Sequence, residues 1–204
     1  VDAIAHWKGD LLVAGTRGLT GFKRVLLGST AAHLVRDAAC PVLTVHPEEA
    51  RRHRPIHRIL VPTDFSEDAA LALETAGGVV GPVPEHARGP LLHVYRMPHE
   101  VVTPWPAPVL IEASRGIAEE ALRRLEEIAQ PLRELGIETD VVAREGYPPE
   151  VIDEEARRID ADLIAMGTHG RSGLKRLLLG STAERVLPAA PCPVLTVRRD
   201  SGEA

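Results

Sequence analysis

Short aliphatic runs alternate with longer stretches of helical period along most of this chain. Ile59-Leu60-Val61, Leu91-Leu92-His93-Val94, Leu163-Ile164-Ala165-Met166 and Val194-Leu195-Thr196-Val197 have the near-continuous apolar character of strands buried on both faces of a parallel sheet. Between them, residues 68–76 are rich in alanine, and Ala118, Leu122, Leu125, Ile128 and Leu132 recur at helical spacing, with Glu and Arg opposite. The pattern predicts strands over about 58–62, 91–95, 137–144, 162–166 and 193–198, and helices over about 66–79, 109–135, 149–159 and 181–189. Ser66 suits an N-cap and Gly136 a C-cap, Pro148 and Pro149 fall in a first turn that tolerates proline, and Pro131 is expected to kink or shorten its helix. Residues 81–90 and 97–108 are proline-rich loops. Trp105 in the second is suited equally to covering a ligand or capping the core. Strand–helix alternation with short loops gives an α/β fold: a five-stranded parallel sheet with helices on both faces.

The chain also repeats itself. Residues 10–18 recur as 162–170, residues 21–30 as 173–182, and Cys40-Pro41-Val42-Leu43-Thr44-Val45 as Cys192 to Val197, at a constant offset of 152. Residues 1–46 therefore read as the C-terminal part of a first copy, with strands near 10–15 and 42–46 and a helix near 29–38. Residues 47–57, including Arg51, Arg52, His53 and Arg54, read as a solvated linker, residues 58–199 as one complete domain, and 200–204 as a tail. A partial unit this small cannot bury its own apolar faces. It must pack on the complete domain or on another chain, or stay partly disordered.

Two blocks carry candidate chemistry. The strand at 162–166 ends in a turn with Gly167, Gly170 and Gly173. Gly180-Ser181-Thr182 then opens a helix, with a hydroxyl expected at the N-cap. Glycines allow close backbone approach and helix-start N–H groups attract anions, so the pair suggests a phosphate cradle; tight turns without a ligand are the other reading. Asp64 falls just past the first strand, where open α/β sheets place ligands, and both blocks converge on the switch point between the first and fourth strands.

Gly167-x2-Gly170-x9-Gly180-Ser181, with Met166, His169 and Thr182, resembles the nucleotide-binding signature of the universal stress protein family. Ile59-Leu60-Val61-Pro62-Thr63-Asp64-Phe65-Ser66 resembles that family's first strand and turn, Leu91 to Val94 its second strand, and Cys192 to Val197 its last. The resemblance covers about residues 56–199. It implies a Rossmann-like fold of the adenine nucleotide alpha hydrolase type with strand order 3-2-1-4-5. It further implies an ATP site, with Pro62, Thr63, Asp64 and Val94 on the base and ribose side. Met166, Gly167, His169, Gly170, Gly180, Ser181 and Thr182 complete the implied site, His169 through its backbone N–H more than its ring. Lys175 and Arg176 are either phosphate-neutralising or surface charges. Because the family's last strand often pairs across a two-fold axis, the resemblance also implies a homo-oligomer, or a pseudo-dimer within the chain in which Val42 to His46 pairs antiparallel with Val194 to Arg198 and the strand at 10–15 keeps an open apolar edge. The first copy has its own Gly15-x2-Gly18-x9-Gly28-Ser29 but nothing equivalent to Pro62-Thr63-Asp64, so a structural remnant is expected there rather than a phosphate half-site.

The bulk properties narrow the classes. A net charge of −5 argues against a nucleic-acid partner. No apolar run reaches the ~18 residues of a membrane span and the N-terminus lacks a signal-peptide pattern, so we expect no membrane and a cytoplasmic location. The first residue is Val1, which reads as a fragment or processed form. Cys40 and Cys192 suit a reducing compartment; at opposite ends of the expected strand pair they would be buried, inert thiols rather than a disulfide. Gly180-Ser181-Thr182 lacks the P-loop lysine, and no base or arginine finger is evident, so at most slow ATPase activity and no catalytic residue are expected. The nine histidines show no metal-ligand spacing. No zinc is expected, and Mg²⁺ would enter only with a nucleotide. The leading expectation is an adenine-nucleotide-binding stress-response regulator or switch. The alternatives are a dimerisation or adaptor module whose glycine turns are structural, and a slow nucleotide hydrolase or phosphotransferase.

Overall fold

In the computed structural model, which describes residues 9–16, 27–47, 55–80, 88–97, 107–170 and 179–199, the aliphatic runs become seven strands of one sheet. The strands are β1 (Leu12–Gly15), β2 (Val42–Val45), β3 (Ile59–Pro62), β4 (Leu91–Tyr95), β5 (Val141–Glu145), β6 (Leu163–Gly167) and β7 (Val194–Val197). The helices are α1 (Ser29–Asp37), α2 (Glu67–Val80), α3 (Ala107–Glu134), α4 (Pro148–Arg158) and α5 (Ser181–Ala189). The spatial order is β1-β2-β7-β6-β3-β4-β5, so strands β3 to β7 have the expected 3-2-1-4-5 order and the sheet continues for two more strands. The expected count of five is thus corrected to seven.

The period-2 alternation of the strands divides the core. Leu60, Leu92, Ile164, Met166 and Val194 point to one face and pack with Val35 of α1, Ile152 of α4 and Leu187 of α5. Val61, Leu91, Leu163, Ala165 and Leu195 point to the other and pack with Ala72 and Ala76 of α2 and Leu125 and Ala129 of α3. Two boundaries differ from expectation. Residues 137–140 carry an isolated bridge at Glu138 rather than a run of strand pairing, and Thr139 turns its hydroxyl back to Ile137 O (3.1 Å), so β5 starts at Val141. Helix α3 starts at Ala107 and runs through Pro131, which sits in its last turn, where Leu135 N–H still reaches Pro131 O at 3.2 Å. Gly136 closes it at φ +83, a left-handed conformation that favours glycine.

Strands β2 and β7 pair antiparallel, Val42 opposite Thr196, Leu43 opposite Leu195 and Thr44 opposite Val194. Leu43 and Leu195 are equivalent residues of the repeat, so a local two-fold axis passes between them. The hydrogen bonds obey it: Thr44 Oγ1 donates to Val194 O and Thr196 Oγ1 to Val42 O, each at 3.1 Å. Cys192 is buried, whereas Cys40 is only half-buried, against the expectation that both would be buried; neither forms a disulfide. Desolvation pushes the Cys40 thiol above its ordinary value. The basic linker residues 51–54, Gly18, the loop residues 81–87, Trp105, Gly173, Lys175, Arg176 and the tail 200–204 lie outside the described residues.

Candidate functional site

The first block is set by a strained turn. After β3, Thr63 N–H donates to Leu92 O (2.8 Å), which keeps the chain in the sheet for one more residue. Phe65 N–H then bonds Thr63 Oγ1 and Ser66 N–H bonds Asp64 Oδ1, both at 3.0 Å. These side-chain bonds hold Phe65 at φ +64, a left-handed conformation costing about 1–2 kcal/mol in a non-glycine residue. Packing offsets that strain: the Phe65 ring lies 4.5 Å from the His93 ring, and the Arg124 guanidinium sits over it at 3.9 Å. His93 Nδ1–H donates to Thr63 O at 2.7 Å. Ser66 caps α2 as expected, its Oγ accepting Ala69 N–H at 3.3 Å.

The second block is held by close packing. A Cβ on Gly167 would lie 2.7 Å from Asp68 Cβ and 2.9 Å from Asp68 C, so the start of α2 rests directly on the end of β6. The Asp68 carboxylate then ties two chain segments together, accepting His169 N–H and Arg199 N–H, each at 3.3 Å. The expectation that the His169 N–H serves a ligand is corrected here, because Asp68 already takes it. The ring is also engaged, Nδ1 lying 3.0 Å from Thr168 Oγ1, while Nε2 is buried with no partner among the described residues. A Cβ on Gly170 would fall 2.6 Å from Asp64 Oδ2, so the two blocks meet at this point.

Gly180, not a hydroxyl residue, is the N-cap of α5. Its N–H donates to Thr168 O and its carbonyl accepts Glu184 N–H, both at 2.9 Å. Ser181 is already the first helical residue, so neither its hydroxyl nor that of Thr182 caps the helix. This overturns the expected hydroxyl cap, and the reason is space: any Cβ at 180 would lie 2.6 Å from Thr168 O. Helix α5 thus begins without a side-chain cap, the arrangement in which helix-start N–H groups attract an anion.

Both blocks open on one cavity of about 360 Å³, within the usual range for small-molecule sites. The eleven residues of the implied nucleotide site all line it: Pro62, Thr63, Asp64 and Val94 on one side, Met166, Gly167, His169, Gly170, Gly180, Ser181 and Thr182 on the other. Ser66, Ala69, Leu92, Pro148, Ile152, Thr168 and Ala183 also line it and were missed. Thr168 and Ser66 lay inside the quoted motifs and were legible there. Pro148 and Ile152 belong to α4, and their apolar spacing marks only a helix with a buried face. Leu92, Val94, Ile152 and Met166 make an apolar wall, Asp64 supplies a carboxylate, and the start of α5 supplies unspent donors. Among the described residues no cluster of His, Cys, Asp and Glu is suited to hold a metal ion, and no helix is long and apolar enough to cross a membrane.

Comparison with known proteins agrees with this picture. The model of the Universal stress protein family matches residues 1–46 and 55–198. The chain is 35% identical over 153 residues to universal stress protein MJ0531 of Methanocaldococcus jannaschii, covering 72% of this chain and 84% of that protein. It is 31% identical over 204 residues to universal stress protein Rv2005c of Mycobacterium tuberculosis, covering 94% of this chain but only 63% of that relative's length. Among solved structures, MJ0577 of Methanocaldococcus jannaschii matches with a TM-score of 0.65 at 32% identity, over 73% of this chain and all of that one. A universal stress protein solved in complex with cAMP shares the fold at 22% identity, with a TM-score of 0.50 over 71% of this chain and 98% of that one. With the family model spanning nearly the whole sequence, the chain belongs to the universal stress protein family.

Proposed function

We propose that this protein binds an adenine nucleotide, ATP in the first place, in the cavity between β3 and β6, and acts as a stress-response switch with slow or absent hydrolysis. The observation that carries the reading is convergence. Motif blocks about a hundred residues apart in sequence line a single cavity at the topological switch point. The residues fit the ligand part by part. The apolar wall of Leu92, Val94, Ile152 and Met166 suits a base, and the Asp64 carboxylate suits ribose hydroxyls. The unspent donors at Ser181 and Thr182 suit phosphate oxygens. Mg²⁺ would be held by the phosphates and the Ser181 and Thr182 hydroxyls. A cAMP complex of a protein with the same fold is compatible with this class of ligand. The reading includes a cytoplasmic setting, in which both free thiols stay reduced.

The same reading treats residues 1–46 as the C-terminal part of a first copy, joined by the linker at 47–57 to a complete domain over 58–199, with the β2–β7 seam standing in for a dimer interface. Titration calorimetry with Mg-ATP, and with ADP, AMP and cAMP as comparators, tests it. Saturable binding at one site per chain is the expected outcome; no heat with any of the four would defeat it. The adaptor reading is favoured by one specific observation: Gly167, Gly170 and Gly180 each have an internal reason to lack a Cβ. Absence of nucleotide binding would make those packing reasons the whole account of the glycines.

A further inference from the structure

Successive residues of β4 face opposite sides of the sheet, which separates His93 from its two neighbours. Leu92 and Val94 line the cavity; His93 lies on the reverse side, behind the turn that carries Asp64. Its Nδ1 stands 2.7 Å from Thr63 O. A carbonyl only accepts, so the bond places the ring proton on Nδ1 and fixes the peptide that joins Thr63 to Asp64. The same ring lies 4.5 Å from the Phe65 ring at an interplanar angle of 33°, and the Arg124 guanidinium of α3 lies over Phe65 at 3.9 Å. Neither Phe65 nor Arg124 lines the cavity. His93 thus grips the residues on both sides of Asp64, one by a hydrogen bond and the other by its ring. Phe65 is left-handed, at φ +64, and such a residue persists only where its surroundings over-determine it.

We propose that His93 is a positioning residue for the nucleotide site. From the far face of the sheet it holds the turn at 63–66 in the conformation that presents the Asp64 carboxylate to the cavity. The bond to Thr63 O is the main element, and the Phe65 ring, held by His93 and Arg124, is the second. The proposal rests on the nucleotide reading and goes beyond it by placing a determinant of affinity outside the cavity. Without the clamp the turn populates other conformations, and the apparent affinity falls by the fraction of chains that keep the presenting one. A histidine that merely packed the core would instead cost stability with no effect particular to the turn.

Two readouts on the full chain test it: amide exchange at Phe65 and Ser66, whose N–H groups bond Thr63 Oγ1 and Asp64 Oδ1 within the turn, and calorimetric affinity for Mg-ATP. In His93→Ala both amides are expected to exchange faster while those of β6 stay slow, and affinity is expected to fall about tenfold, the scale of one net hydrogen bond. His93→Asn keeps an N–H close to the place of Nδ1 and is expected to restore slow exchange and most of the affinity. His93→Phe keeps a ring without the donor and is expected to restore neither. Leu195→Val, a truncation in the fully buried core of the same sheet face, controls for lost stability and is expected to leave both readouts unchanged. Unchanged exchange at Phe65 and Ser66 in His93→Ala would overturn the proposal alone, whether or not the wild type binds Mg-ATP. Failure of Asn to rescue, or equal effects from Leu195→Val, would also overturn it. No binding of Mg-ATP by the wild type would overturn it together with the nucleotide reading.

Discussion

Residues 12–45 and 164–197 are two builds of the same strand–helix–strand unit, and where both are described their backbones agree closely. Gly28 caps α1 at φ −59 and ψ 144; Gly180 caps α5 at φ −59 and ψ 140. Gly28 N–H bonds Thr16 O and Gly180 N–H bonds Thr168 O, both at 2.9 Å. Thr16 N–H reaches Val45 O at 3.0 Å, as Thr168 N–H reaches Val197 O at 2.9 Å. What differs is the neighbourhood. The second unit faces Asp64 across Gly170, carries α2 on Gly167 and shares a cavity with β4 and α4. The first is the free end of the sheet. A glycine turn leading to an uncapped helix start is thus a local product of sequence. The cavity additionally needs β3, the turn after it and α4, which among the described residues lie beside the second unit alone.

The sharpest way to break this comparison is Asp64→Ala. Under the proposed function it should weaken nucleotide binding about 100-fold by calorimetry, the scale of a lost buried charged hydrogen-bond partner. The fold should survive, because the Asp64–Ser66 bond is local to one turn. Unchanged affinity would remove Asp64 from the site. Next, Gly180→Ala and Gly28→Ala should each destabilise by about 1–3 kcal/mol in urea melts, since a Cβ at 180 meets Thr168 O at 2.6 Å and the repeat builds position 28 alike. Only Gly180→Ala should also lower nucleotide affinity; equal losses from both would revive a half-site in the first copy.

Glu155 lies in α4, outside both units. Hydrogen bonds from Arg158, the shorter at 2.6 Å, with Arg144 3.6 Å away, hold its buried carboxyl below the ordinary glutamate range. A depressed carboxyl stabilises the fold above its unfolded value, and that contribution is lost as pH falls through the folded value. The complete domain should therefore lose stability below about pH 4.5. In Glu155→Gln the acid limb of a Tm-against-pH curve should flatten, with a loss of about 1–2 kcal/mol at pH 7. The smallest effect is at the seam. Thr44→Val and Thr196→Val should each cost about 1 kcal/mol, and by nearly equal amounts if the local two-fold axis is energetic as well as geometric.

The aliphatic runs at 59–61, 91–94, 163–166 and 194–197 were sufficient to read strands, because a strand buried on both faces must be apolar throughout. Ser66 and Gly136 were readable as caps because capping depends on a single residue's own chemistry. The hydroxyl cap expected for α5 failed for a reason that is not local: Thr168 O occupies the space in which a Cβ at 180 would stand. The His169 N–H was misassigned for the same kind of reason, since Asp68 lies 101 residues away in sequence.

By itself, then, the sequence determined the elements, the repeat and both motif blocks, which rest on periodicity, capping chemistry and self-similarity along the chain; the antiparallel seam was implied by the family resemblance. Tertiary structure alone decided that Asp64 and Gly170 meet, that Pro148 and Ile152 wall the cavity, that Asp68 holds the cradle turn, and that β1 ends the sheet. These are contacts between segments far apart in sequence. Their identity depends on which strand lies beside which, and residue chemistry read along the chain does not encode distances across it.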